Sequence, residues 1–140
     1  MPQSKAIERY VAKKYGMMGS TPEEEALIDG FAEHNRDIAD AYRKVSRDKD
    51  GKLEAFLAED LPKSLALLEK AIASKPGPFM LGDKVSLADV LFFVFLTENI
   101  ADSKALPAYE SLPKLKAAID AVANLDSIKA YQEKRPVTAW

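Results

Sequence analysis

Apolar residues recur along almost the whole chain with the period of a helix. After Thr21, the residues Leu27, Phe31, Ile38, Tyr42 and Val45 form one stripe. At about 100° per residue they fall within about 60° of one another. Asp29, Glu33, Arg36, Asp40, Arg43 and Lys44 fall opposite. Thr21-Pro22-Glu23-Glu24 supplies the start: Thr21 as N-cap, Pro22 at the first helical position and Glu24 completing a capping box. A second long pattern runs through Leu53, Phe56, Leu57, Leu61, Leu65, Leu68 and Ile72, ending at Lys75-Pro76-Gly77-Pro78. Pro62 lies inside it. Proline removes a backbone bond and crowds the preceding turn, which predicts a kink near Ala58 to Leu61. Shorter patterns predict a helix over Pro2 to Tyr15, with Ser4 as N-cap and Ala6, Ile7, Tyr10 and Val11 on one face. Others predict a helix from Ser111-Leu112-Pro113 through Leu115, Ala118, Ile119 and Val122, and a last one from Asp126 to about Lys134. Asp102 to Ser111 reads as a loop, and the tail from Val137 to Trp140 fits no pattern.

One stretch breaks the amphipathic rule. Val90 to Leu96 is seven apolar residues in a row, and a helix without a polar face must be covered on all sides. A buried strand is the competing reading of such a run. The preceding Ser86-Leu87-Ala88-Asp89 decides for helix. Ser86 as N-cap accepts from the amide of Asp89, and the Asp89 carboxylate reaches back to the amide of Ser86. The pattern therefore predicts an all-α bundle of about six or seven helices, a single domain over residues 1–140, around a buried central helix starting at Ser86 and running to about Ile100.

Composition narrows the functions open to such a bundle. The chain has 140 residues, 47% hydrophobic and 30% charged, with a formal net charge of −2. That balance points to neither nucleic acid nor an anionic membrane. There is no cysteine, which excludes disulfides, thiolate metal sites and a cysteine nucleophile within these residues. No apolar run approaches the ~18 residues of a membrane span, and charged residues interrupt the first helix where a signal peptide would be apolar. A cytoplasmic protein is expected. His34, the only histidine, lies in the apolar stripe and reads as a packing residue, since alone it makes neither a metal cluster nor a triad. Ser46 to Leu57 resembles a calcium loop when Gly51 is set at its sixth position. Its twelfth position is then Leu57, where a bidentate glutamate is required. A turn with Gly51 in the left-handed region is the better reading, and no metal site is expected.

The order of these signals resembles the helical C-terminal half of cytosolic glutathione transferases. Gln3-Ser4-Lys5-Ala6-Ile7-Glu8-Arg9-Tyr10-Val11-Ala12 is similar to the family's Q-S-x-A-I-x-R-Y segment. Gly82-Asp83 followed by Ser86-Leu87-Ala88-Asp89 resembles its capping-box region. Leu112-Pro113-Lys114-Leu115, Ile128-Lys129-Ala130-Tyr131 and Arg135-Pro136 resemble its last helices. In the family the Gln-Ser segment opens the last helix of a thioredoxin-like domain. The resemblance thus implies that 1–16 correspond to that helix and 20–140 to the helical domain. The strands of the thioredoxin-like half, and its thiol-activating tyrosine or serine, are missing from this sequence. The expectation is a fragment, an engineered piece or a protein that keeps only this half.

What the resemblance implies for chemistry follows residue by residue. Gln3 and Ser4 match the pair that holds the γ-glutamyl end of glutathione, and Asp37 matches an acidic residue that contacts the glutathione amine across a dimer. No catalytic residue is identified: Tyr10, Tyr15, Tyr42, Tyr109 and Tyr131 all read as packing residues. No cofactor is implied, glutathione being the substrate of the complete enzyme. The domain would wall the site for a hydrophobic electrophile and form a homodimer through the helices starting at Thr21 and Leu53. Alone, it would lack conjugating activity. A protein–protein interaction module and a ligand-free scaffold are the alternative readings.

Overall fold

The computed structural model describes residues 3–47, 50–100 and 104–136. Pro2, Asp48, the Asp102 end of the expected loop and the tail 137–140 lie outside them. The described residues are helical with no strand: α1 (Ser4–Lys14), α2 (Pro22–Val45), α3 (Lys52–Ala55), α4 (Leu61–Ile72), α5 (Leu87–Val94), α6 (Leu106–Tyr109), α7 (Pro113–Ala123) and α8 (Asp126–Lys134). A wide π turn, Phe56–Asp60, joins α3 to α4, and another, Phe95–Asn99, extends α5. Counting α3 to α4 as one rod, the described residues form seven continuous helices.

Helix α5 lies at the centre, against α2 on one side and α7 on the other. Leu87, Ala88, Phe92, Phe93, Phe95 and Leu96 are buried. Val94, 38% exposed, corrects the expectation of cover on all sides: this face of the central helix meets solvent. The second long pattern reads almost without error, since Phe56, Leu61, Leu65, Leu68 and Ile72 are buried. At the place of the expected kink lies the π turn, in which Leu61 N–H donates to the carbonyl of Phe56. Pro62 follows at once, so the widened turn sits where the proline ring would crowd the backbone.

Four readings need correction. The buried face of α2 is Ile28, Ala32, Asn35 and Ile38, while Leu27 is 40% exposed; Asn35, a polar residue, lies on the inner face because its Nδ2 donates to the Leu91 carbonyl. At the start of α2, Thr21 Oγ1 does accept from Glu24 N–H, but the Glu24 carboxylate accepts from Ser20 N–H at 2.6 Å, one residue ahead of the box. The expected loop before Ser111 contains α6, whose Ala108 and Tyr109 are buried. Helix α7 starts without a side-chain cap of its own. Instead Glu69 of α4 accepts from Lys114 N–H at 2.9 Å and from Leu115 N–H at 2.8 Å. After Pro113, which has no N–H, these are the first two amide donors of the helix, and they have no partner within it. Lys114 answers in kind: its Nζ donates to the carbonyls of Lys75, Pro76 and Gly77 beyond the end of α4. Gly51, at φ 76°, occupies the left-handed region as the turn requires.

Candidate functional site

Two regions of the fold carry the residues singled out in the sequence. The first is the entrance of α5. Ser86 Oγ accepts from Asp89 N–H at 3.4 Å, and Asp89 Oδ2 accepts from Ser86 N–H at 2.8 Å and from Ser86 Oγ–H at 2.6 Å. Asp89 Oδ1 has a further partner nine residues back, Met80 N–H at 2.8 Å. Asp89 is fully buried. Burial pushes its carboxyl above the ordinary value, against the opposite pull of the hydrogen bonds from Ser86 and Met80. Each carboxylate oxygen has a partner, so Asp89 anchors the loop from Phe79 to Ser86.

The second region is the start of α1. The residue at the cap position is Gln3, with φ 82° and ψ 106°. This corrects Ser4 as N-cap: Ser4 already has helical backbone, and no side chain caps the helix. Gln3 is the one non-glycine residue with positive φ among the described residues. Such a backbone is costly for a side chain with a Cβ, and residues held that way cluster at binding sites. The carbonyl of Gln3 accepts from Ala6 and Ile7 N–H. The amides ahead of them, of Ser4 and Lys5, have no acceptor within the helix and lie at its positive end, a geometry suited to a carboxylate.

Asp37 is exposed on α2. It continues a row of carboxylates at four-residue spacing, Glu25, Asp29 and Glu33, that faces α1. Lys13 pairs with Glu25 at 2.5 Å, and Arg9 pairs with Asp29 at 2.5 Å and with Glu33. The two helices run in opposite directions along this seam, and the register leads the start of α1 towards Asp37. A cavity of about 250 Å³ lies between the α1–α2 loop and the loop before α5, lined by Gly19, Ser20, Glu24, Lys84 and Ser86 among others. Gln3, Ser4 and Asp37 are not part of it.

The side chains read as packing residues find partners of that kind. His34 Nε2 lies 3.2 Å from the Ser64 carbonyl, to which it donates, and its ring is 6.3 Å from that of Phe92. Tyr42 packs against Phe56 and Phe95. Tyr109 is buried, and burial raises its phenol above the ordinary value. Among the described residues no group of acids and histidine has metal-ligand geometry, and no helix is long and apolar enough to cross a membrane.

The family model for "Glutathione S-transferase, C-terminal domain" matches residues 36–135. A glutathione S-transferase of Dirofilaria immitis is 35% identical over 137 residues, covering 95% of this chain and 64% of that protein. The structure of an Onchocerca volvulus Pi-class glutathione S-transferase superposes with a TM-score of 0.83 at 30% identity, over 96% of this chain and 65% of that one. A monomeric glutathione S-transferase from the hookworm Necator americanus superposes with a TM-score of 0.82 at 28% identity, over 100% of this chain and 71% of that one. The chain thus spans a little under two thirds of the Dirofilaria and Onchocerca proteins.

Proposed function

We propose, for a chain that belongs to the glutathione S-transferase family through its helical C-terminal domain, that it serves as the helical half of a glutathione-conjugating enzyme. In this reading residues 1–16 are the last helix of a thioredoxin-like half and 20–140 the C-terminal domain. Gln3 and the first amides of α1 receive the γ-glutamyl carboxylate, with the Ser4 hydroxyl beside them. Asp37 supplies the countercharge for the amine of a glutathione bound across a dimer. The helices from Thr21 and Leu53 form the dimer contact and wall the electrophile site. The observation that carries the reading is the positive φ of Gln3 at an uncapped helix start. It spends backbone strain where a carboxylate acceptor would be bound.

The apolar face of α1 supports the same assignment. Ile7 and Val11 are each 43% exposed, Tyr10 56% and Tyr15 70%. Three large apolar side chains on so short a helix, with Tyr15 just past its end, form the kind of patch that marks a protein contact. Conjugation also needs the glutathione thiol lowered in pKa by a donor aimed at the sulfur, so that the thiolate attacks the electrophile. In this reading the thiol-activating group belongs to the thioredoxin-like half.

Nuclear magnetic resonance on the 140-residue chain tests the site. Added S-methylglutathione is expected to shift the amide signals of Ser4 and Lys5 first, and to do so less in Ser4→Ala. Shifts confined to other helices, or none at millimolar ligand, would remove the assignment of Gln3 and Ser4. An assay with a chlorinated aromatic electrophile and glutathione is expected to give no turnover above the uncatalysed rate. Robust turnover would mean that the thiol-activating group lies within this chain.

A further inference from the structure

The cavity between the α1–α2 loop and the loop before α5 is built from internal segments, every lining residue falling between Gly16 and Ser86. A bond from Leu87 N–H to the Met17 carbonyl, at 2.9 Å, ties the two loops together. The apolar part of the lining is Ile28, which is buried, with Leu81 and Val85, which are half-buried. The charged part is Glu24, Asp83 and Lys84. Glu24 is held in place there. A Cβ on Gly19 would lie 2.5 Å from the Glu24 Cβ, so glycine is what lets the two residues meet this closely. Ser20 N–H then fixes Glu24 Oε2 at 2.6 Å and leaves Oε1 without a partner. Gly16 and Gly82 border open space, since a Cβ on either would meet nothing within 4 Å. The side chains of Asp83 and Lys84 make no hydrogen bond or ion pair among the described residues.

Size and charge together select a ligand. The cavity, about 250 Å³, is smaller than the ~300–1,000 Å³ of pockets for drug-sized molecules. At roughly 30 Å³ for each water-sized group, about eight heavy atoms fit. Two carboxylates against one ammonium leave its charge negative. We propose that this cavity binds a small aliphatic ammonium ion, its alkyl chain on Ile28, Leu81 and Val85 and its cation on Glu24 and Asp83. Because Ser20 already orients the Glu24 carboxylate, binding spends little on ordering it. Lys84 repels such a ligand and would attract an anionic one, so its replacement reports the sign of the preference. A lysine side chain presents the same apolar stem and cationic head as a free amine. The lining includes neither Gln3, Ser4 nor Asp37, so the site stands whether or not glutathione binds at Gln3.

Nuclear magnetic resonance on the 140-residue chain, at neutral pH and constant ionic strength, tests it. Added n-pentylammonium chloride is expected to give saturable shifts, at millimolar ligand, in the amides of Ser20, Glu24, Leu81 and Val85. Neutral n-pentanol and anionic pentanoate, of the same length, are expected to bind at least about tenfold more weakly. Glu24→Gln, which keeps an acceptor for Ser20 N–H, is expected to weaken pentylammonium roughly tenfold. Lys84→Gln is expected to tighten it roughly threefold. An acetyl-lysine methylamide that competes with pentylammonium would identify a protein's lysine side chain as an occupant, and failure to compete would leave the free amine. Shifts that do not saturate or that fall elsewhere in the chain would overturn the proposal. So would pentanol or pentanoate binding as tightly as the amine, or weaker amine binding in Lys84→Gln. The ligand series needs no variant, so a variant that fails to fold leaves the test intact.

Discussion

Helices α1 and α5 touch each other beside Leu87, yet opposite means hold them in place. Helix α5 is wrapped in phenylalanine, leucine and alanine, and its polar entrance is sealed inside the core. Helix α1 turns its large apolar residues outward and meets α2 through arginine, lysine and three carboxylates. Apolar burial scales with area and tolerates salt, whereas exposed charge pairs contribute little each and are screened. The two helices are therefore expected to respond differently to side-chain truncation.

The contrast is broken most sharply by truncating one aromatic on each helix. Phe92→Ala, at a fully buried position, is expected to cost about 3–5 kcal/mol. Tyr10→Ala is expected to cost less than about 0.5 kcal/mol. Urea denaturation of both variants measures the gap, and equal losses would mean that α1 is packed as tightly as α5. The entrance of α5 comes next. Asp89→Ala strands the amides of Met80 and Ser86 and is expected to cost roughly 3 kcal/mol. Ser86→Ala loses one cap bond, about 1 kcal/mol. If their denaturant midpoints shift equally, the bond to Met80 contributes nothing. Glu69→Ala follows, with about 1 kcal/mol expected from two freed amides of α7; Glu69→Gln, which keeps one acceptor oxygen, should lose less. Smallest in energy is Tyr10→Ser. It is expected to leave the melting temperature in place while lowering self-association in light scattering, because it removes part of an exposed apolar face. A clean monomer at high concentration for the unaltered chain would reject both that effect and the proposed dimer.

How much was legible follows from distance along the chain. The faces of α4 and α7 were readable because Leu61, Leu65, Leu68 and Ile72, and Leu115, Ala118, Ile119 and Val122, declare themselves by spacing alone. The Ser86–Asp89 box was readable because its members are three residues apart. The second half of Asp89's task was not, since Met80 N–H is brought to it only by the folded loop. Glu69 likewise looks like an ordinary charged position on α4 until the fold sets α7 against it. Asn35 was missed because its partner is a main-chain carbonyl, which leaves no mark in the sequence. At the candidate site, the segment around Gln3 and Ser4 was recognisable as a string of residues. The backbone strain at Gln3 was not, because glutamine carries no signal for positive φ.

The wide turn at Phe56–Asp60 has a bearing on how this chain can change in length. A π turn holds one more residue than the α turn it replaces, and it commonly arises as a single-residue bulge. Its effect is that of a spacer between two registers. Upstream, Leu53 and Phe56 keep their orientation, and downstream Leu61 to Ile72 keep theirs. Removing one residue between Leu57 and Asp60 would rotate one half by about 100° relative to the other, unless the turn reverted to ordinary α-helix. It would then absorb the deletion with both faces still directed at the core. Single-residue deletions should be far better tolerated there than in the regular turns of α4.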